Sequence, residues 1–244
     1  MDIRTVVAPF VQTNCYLLAG PDDTCVVVDP GGGARTQIAE TAKKAGWRIA
    51  GVVLTHGHVD HVWSAGTIAN ALEVPVWIHA LDVAELDDPL SNNGVLGGFL
   101  DVMLMQYGES PRDYEVPRDI RTVETPENGS VEVDLAGIPT TWIHAPGHTP
   151  GSGVLQFDRG VAPGSSLPPI LGRVKPSNCT ILTGDVIFAG SIGRCDLPGG
   201  DQWVMMATLR RLFVDLPRDA VLLSGHGPAT TMAHELMTNP FLRG

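Results

Sequence analysis

Three histidines and an aspartate fall inside seven residues, Thr55-His56-Gly57-His58-Val59-Asp60-His61, directly after the apolar run Ile49–Leu54. Only five other histidines occur in the 244 residues. Crowded imidazoles repel one another when charged, which costs stability unless a partner holds them together. A divalent cation is such a partner, because neutral imidazole and carboxylate are good ligands for zinc and its neighbours. An extended strand running into this segment can aim His56 and His58 to one side while Asp60 and His61 face another. That arrangement suits two adjacent ions. The competing reading, a His-rich surface turn, fits this density of ligating side chains poorly.

Composition limits what such a centre would serve. A chain of 244 residues with 43% hydrophobic and 18% charged content has ample material for a core and suits a globular protein. The net charge of −11 argues against nucleic acid or an anionic membrane surface as the main partner. An anionic substrate would need a local cationic patch, which a metal cluster supplies. Met1–Thr5 lacks the features of a signal peptide and no apolar run reaches membrane-spanning length, so a cytoplasmic location is expected. Cys15, Cys25, Cys179 and Cys195 form no C-x-x-C pair and are expected to be reduced thiols.

Short β-like runs and helical stretches alternate along the chain. Cys15–Leu18 and Cys25–Val28 flank the turn Gly20-Pro21-Asp22-Asp23 and predict a hairpin. Ala34–Ala45 reads as a helix ended by Gly46, and Trp63–Leu72 as another. Further strands are expected at Val52–Leu54, Pro75–Ile78, Ser130–Leu135, Thr140–Ile143, Val154–Phe157, Cys179–Leu182 and Val221–Leu223. Gln202–Leu216 and a short stretch near Ala229–Met237 read as helices. Residues 87–120, with a Met-rich apolar patch at Phe99–Met105, read as an insertion carrying one helix. Residues 160–176 read as a Gly/Pro/Ser insertion with little internal structure. Strand clusters in both halves, each with helices, suggest two sheets with helices outside, over a single domain of residues 1–244.

Three more strand ends carry Gly-flanked ligand candidates: Pro146-Gly147-His148, Thr183-Gly184-Asp185 and Ser224-Gly225-His226-Gly227. Glycine permits the sharp turn and close approach that a metal-binding loop needs. With the first cluster they supply seven ligands, enough for two ions bridged by Asp185. His79 and His144 are expected to be structural. His234-Glu235 starts an H-E-x-x-H pattern that fails at Thr238, and no nucleophile elbow, P-loop or dinucleotide fingerprint occurs.

THGHVDH, APGHTPGS, LTGD and SGHGP, in that order, resemble the metallo-β-lactamase-fold hydrolases. Asn14-Cys15-Tyr16-Leu17 and Val28-Asp29-Pro30-Gly31 fit the same family, and the likeness spans nearly the whole chain. Phe188–Asp196 is similar to the glyoxalase II-like (hydroxyacylglutathione hydrolase) branch and its persulfide dioxygenase relatives. The resemblance implies an α/β fold, an αββα four-layer sandwich with metals at one edge. His56, His58 and His148 would hold the first ion, Asp60, His61 and His226 the second, and Asp185 would bridge them. Zinc is the first choice, with iron or manganese also compatible with these donors. Glyoxalase II usually adds a C-terminal helical extension that contacts glutathione. Here the sequence stops eighteen residues after His226, so those contacts are expected to be missing. The two insertions would have to cover the site instead.

The resemblance to that branch implies hydrolysis of S-2-hydroxyacyl thioesters of a small thiol, and the ligand set supplies the chemistry, with two ions lowering the pKa of a bridging water. Asp60 would orient the nucleophile as well as bind metal. Asp29 is a candidate for fixing a ligand histidine, with a turn-forming role before Pro-Gly as the competing explanation. Arg194, nine residues after Asp185, is a candidate for holding a substrate carboxylate, with a salt bridge to Asp196 as the competing one. The alternative function is a mononuclear iron persulfide dioxygenase, using His56, His148 and Asp185. A non-enzymatic binding protein is a third.

Overall fold

Runs such as Cys25–Val28 and Thr180–Leu182 are buried at every position. A strand tolerates this only when covered on both faces. The computed structural model, which describes residues 1–91, 97–172 and 177–242, supplies that cover through two six-stranded sheets. The first runs in the order β1 (Ile3–Val7), β2 (Asn14–Ala19), β3 (Thr24–Val28), β4 (Arg48–Val53), β5 (Val76–His79) and β6 (Ile120–Val123). Its first three strands are antiparallel and β3 to β6 are parallel. The second comprises, in order, β14 (Thr230–Thr231), β13 (Val221–Ser224), β10 (Thr180–Gly184), β9 (Gly153–Phe157), β8 (Ile138–His144) and β7 (Ser130–Leu135). All its pairings are antiparallel except β10 with β13.

Side-chain alternation sorts the core into layers. Val26, Val28 and Trp77 meet Trp142, Leu155 and Leu182 between the sheets. Cys25, Val27 and Val52 face outward onto Ile38 and Ala42 of α1 (Arg35–Ala45) and Ile68 of α3 (Ala65–Leu72). On the other side Ile181 and Leu222 pack against Met205, Leu209 and Leu212 of α5 (Gln202–Asp215) and Met232 of α6 (Met232–Thr238). The expected αββα sandwich is therefore present. Each fully buried aliphatic or aromatic side chain contributes about 1.5–3 kcal/mol relative to exposure.

Local signals placed the hairpin between β2 and β3, and α1 ends at Gly46, which takes the left-handed φ of +75° that glycine accepts without strain. Several elements differ from expectation, among them the hairpin of β11 (Ile187–Phe188) and β12 (Ser191–Ile192), which no expected strand covers. The helix read over Trp63–Leu72 is preceded by a separate turn, α2 (Val59–Val62), and the chain bends at Ser64, whose backbone N–H and hydroxyl donate to Pro30 and Gly31 carbonyls. The stretch near Ala229 first adds β14 to the second sheet, and α6 starts only at Met232. β1 and β6 are short edge strands with exposed or half-exposed polar positions, too brief for a clear alternating pattern. The helix expected at Phe99–Met105 is α4 (Gly97–Gln106), and Leu104 packs on Phe10 and Trp63. Residues 92–96 and 173–176 of the two insertions lie outside the described residues. The described part of the second runs beside β1 and Ala229, through bridges at Ser166 and Ile170.

No cysteine is in a disulfide, and Cys15, Cys25 and Cys179 are buried. No helix among the described residues is long and apolar enough to cross a membrane.

Candidate metal centre

Four strand ends deliver the polar residues to one edge of the sandwich. The segment after β4 carries His56 and His58, and α2 opens with Asp60 and His61. The loop after β8 carries His148, Asp185 follows β10, and His226 follows β13. Backbone bonds tie these ends together: Gly225 N–H donates to Gly184 O, Gly153 N–H to Thr55 O, and Asn14 N–H to Gly225 O. At Gly225 a Cβ would collide with Asp185 Oδ1 and with His61, so the close approach at this glycine is required.

All seven predicted residues converge. His56, His58 and His148 form one buried group, and Asp60, His61 and His226 another, with ligand atoms in each group within 4.8 Å of one another. Asp185 reaches both: its Oδ2 lies 3.7 Å from His148 Nε2 and 3.4 Å from His226 Nε2, and its Oδ1 lies 3.3 Å from His61 Nε2. The two halves of the first cluster divide between the groups, His56 and His58 in one and Asp60 and His61 in the other, but the division is not complete: His56 and His61 also form a group with Asp185, their rings 4.1 Å apart.

The hydrogen bonds behind the rings assign their tautomers. Thr55 Oγ1 donates to Asp29 Oδ2 at 2.7 Å, so it must accept from His56 Nδ1–H at 3.1 Å. His61 Nδ1–H donates to Asp29 Oδ2 at 3.0 Å, and His148 Nδ1–H to the Arg194 carbonyl at 2.7 Å. With the Nδ1 positions committed, the Nε2 lone pairs of neutral rings point inward. His56 Nε2 and His148 Nε2 then face each other 3.2 Å apart with no proton to share. His61 Nε2 and Asp185 Oδ1 are buried and make no hydrogen bond. Lone pairs aimed at one another and orphaned buried atoms are unfavourable alone and are what a cation would satisfy.

Electrostatics distinguishes the two groups. Burial, reinforced by neighbouring imidazoles, pushes His56 well below its ordinary pKa and His58 down to about 3, so both are neutral donors. Burial also acts to lower His61 and His226, but Asp185 and Asp60 overcome it, raising His61 well above normal and His226 to about 9. Asp60 and Asp185 are correspondingly held low by these histidines despite the cost of burying their charge. A divalent ion at the second group would therefore compete with protons for these imidazoles, as it would not at the first.

Asp29 takes the role the sequence left open. Its carboxylate accepts from Thr55 N–H at 2.8 Å as well as from the Thr55 hydroxyl and His61. It sits at φ +51°, a region that Asp and Asn tolerate better than most residues. Asp29→Asn should therefore keep the backbone and remove the charge that orients His61. The expected result is a 10–100-fold weaker second ion in metal titrations; unchanged affinity would reduce Asp29 to a turn residue.

Arg194 is on the rim of the cleft, yet its guanidinium is spent on Asp196, with Nε–Oδ1 at 2.7 Å and Nη2–Oδ2 at 2.8 Å. This pair holds the Asp196 carboxyl down at about 2. The expected structural histidines are such: His79 and His144 stack at 4.5 Å, and neither joins the ligand groups.

Sequence reasoning missed three supports. Asp82, fully buried in the 3-10 turn after β5, accepts from Gly57 N–H, the Thr149 hydroxyl and Gly151 N–H at 3.0, 2.7 and 2.6 Å. Burial raises its carboxyl above the ordinary value even with these donors pulling it back. Thr13 Oγ1 donates to Asp60 Oδ2 at 3.0 Å. The Arg194 carbonyl orients His148, and a Cβ at Gly193 would strike the Asp185 backbone. No local pattern marks Asp82 or Thr13.

The sequence profile of the Metallo-beta-lactamase superfamily matches residues 8–162. The chain belongs to this superfamily. A probable metallo-hydrolase of Bacillus subtilis, YqgX, is 30% identical over 99% of this chain and 97% of its own length. The hydroxyacylglutathione hydrolase GloC of Haemophilus influenzae is 28% identical over 99% and 98%. GloC is thus matched almost end to end. Among solved structures, the BLEG-1 B3 metallo-beta-lactamase is 27% identical, with a TM-score of 0.76 over 99% of this chain and 100% of that one. TTHA1623 in a di-iron-bound form is 29% identical, with a TM-score of 0.69 over 98% and 99%.

Proposed function

We propose that this superfamily member is a dinuclear metal-dependent hydrolase that cleaves S-2-hydroxyacyl thioesters of a small thiol. The observation that carries this reading is Asp185, whose two oxygens approach a histidine of each group, so that seven side chains make one site for two ions. The likeness to TTHA1623, described as di-iron-bound, supports two ions, and the likeness to GloC supports a thioester.

His56, His58 and His148 would hold the first ion, Asp60, His61 and His226 the second, with Asp185 between them. Bound there, the ions supply Lewis acidity for the carbonyl and water activated near neutral pH. The chain supplies the rest. Asp60, fixed through Oδ2 by the Thr13 hydroxyl, orients the attacking water. His61 and His148 keep their Nε2 atoms inward because Asp29 and the Arg194 carbonyl hold their Nδ1 protons. Val11, Leu100, Phe188, Ile192 and Leu197 wall a cleft of about 550 Å³ that limits bulk water around the thioester. Leu100 comes from α4 of the first insertion, whereas no described residue of the second lines this cleft.

The test combines metal analysis with turnover. Protein purified without added metal should carry about two divalent ions per chain and hydrolyse a lactoyl thioester. His58→Ala, which leaves the first group with two of its three histidines, should lose about one ion and most of the activity. One iron per chain with oxygen consumption on a persulfide would instead favour the dioxygenase reading. Turnover of a β-lactam but no thioester would place the substrate elsewhere in the superfamily.

A further inference from the structure

The cleft that opens onto the two ligand groups is unusual in its charge. Among its described lining residues Arg194 is the only Lys or Arg, and the whole sequence has three lysines. Asp196 already occupies two of the five guanidinium donors in a bidentate fork, so a substrate carboxylate meets an arginine that is paired. Its main chain is also fixed, since the Arg194 carbonyl accepts the His148 Nδ1 proton. Apart from Ser191 the remaining outer wall is apolar: Val11, Leu100, Phe188, Ile192 and Leu197, with the Phe188 ring 5.9 Å from that of His226.

We infer that Asp196 is a specificity-determining residue: by masking Arg194 it leaves the cleft selective for thioesters whose thiol portion is uncharged and largely apolar. This rests on the thioester reading above. A carboxylate-bearing thiol must displace Asp196 from the guanidinium before it gains a partner. A neutral thiol arm instead lies against the apolar wall at no such cost. The pair is solvent-exposed, with side-chain exposures of 54% and 69%, so the mask is modest rather than absolute. An exposed ion pair is worth about a two- to fivefold factor.

Two substrates separate the cases: the lactoyl thioester of glutathione, which carries carboxylates, and that of N-acetylcysteamine, which is neutral. The metal-loaded protein should show the higher kcat/KM on the neutral one. Asp196→Asn should raise kcat/KM on the glutathione thioester about two- to fivefold through KM, leaving the neutral substrate unchanged. In the double variant Arg194→Ala/Asp196→Asn that gain should vanish. A gain that survives without Arg194 would be a long-range charge effect and would overturn the mask, as would a tenfold wild-type preference for the glutathione thioester.

Calorimetric binding of glutathione itself to metal-loaded wild type and Asp196→Asn keeps the inference separate from the reaction. If neither thioester is hydrolysed, the proposed function fails, while about two- to fivefold tighter glutathione binding by the variant still supports the mask. Equal binding overturns it.

Discussion

Asp185→Ala should empty both ion sites together and lower hydrolysis by about three decades. The carboxylate contacts His61, His148 and His226, one or more from each ligand group, so its loss cannot be confined to one of them. Removing it also leaves the His61 imidazole, which is fully buried, with fewer carboxylates to balance it. Two ions lost together forfeit several kcal/mol of transition-state stabilisation, and at 1.36 kcal/mol per decade roughly 4 kcal/mol corresponds to that fall. Asp60→Ala is the comparison. Asp60 approaches His61 and His226 but belongs to the second group only, so its variant should keep the first ion. Metal titration of the two variants distinguishes them. An Asp185→Ala protein that retains as much metal as Asp60→Ala would show that Asp185 does not bridge.

What the sequence revealed and what it hid follow from the range of the interactions. The seven converging residues were legible because four of them lie within six positions, His56 to His61, and His56, His58, His148, Asp185 and His226 each adjoin a glycine near a strand end. The two-sided burial of β3 and β10 was legible as unbroken apolar runs. The edge strand β7 was legible at Ser130–Leu135, but the edges β1, β6 and β14 were not: β6 offers four residues with Arg121 and Thr122 exposed, a pattern shared with many loops. The start of α6 was missed because Ala229 pairs with Ile170 in a distant loop, a tertiary preference that no local propensity records. Arg194 shows the same limit in the site. Its position beside the metal loop was readable, but whether the guanidinium would face substrate or Asp196 depended on side-chain packing. Its carbonyl bond to His148 spans 46 positions.

Asp82 is the deepest case, and replacing it should destabilise the fold as well as the site. Its carboxylate joins the loop of His56 and His58, through Gly57, to the loop of His148, through Thr149 and Gly151, across 25 to 69 positions of sequence. The carboxylate is fully buried, and Thr149 N–H and hydroxyl are also held by Ser152 Oγ. Asp82→Ala strands the Gly57 and Gly151 N–H groups where water has little access and leaves the Thr149 hydroxyl only Ser152 as a partner, three disrupted donors in all. At 1 kcal/mol or more for each unmet group the cost is about 3 kcal/mol, or roughly 6–12 °C in melting temperature for a chain of this size. Since the two loops it ties carry all three histidines of the first group, first-ion affinity should also fall about 10–100-fold, with the second ion less affected. Asp82→Asn is the discriminating variant. Its one carbonyl oxygen can still serve Gly57 and Thr149, but its amide then opposes Gly151 N–H, so it should lie between wild type and alanine on both measurements. Thermal unfolding of the metal-free protein reads the strut without any contribution from bound ions. If metal-free Asp82→Ala melts with the wild type and binds its first ion as tightly, the three hydrogen bonds do not hold the histidine loops in place.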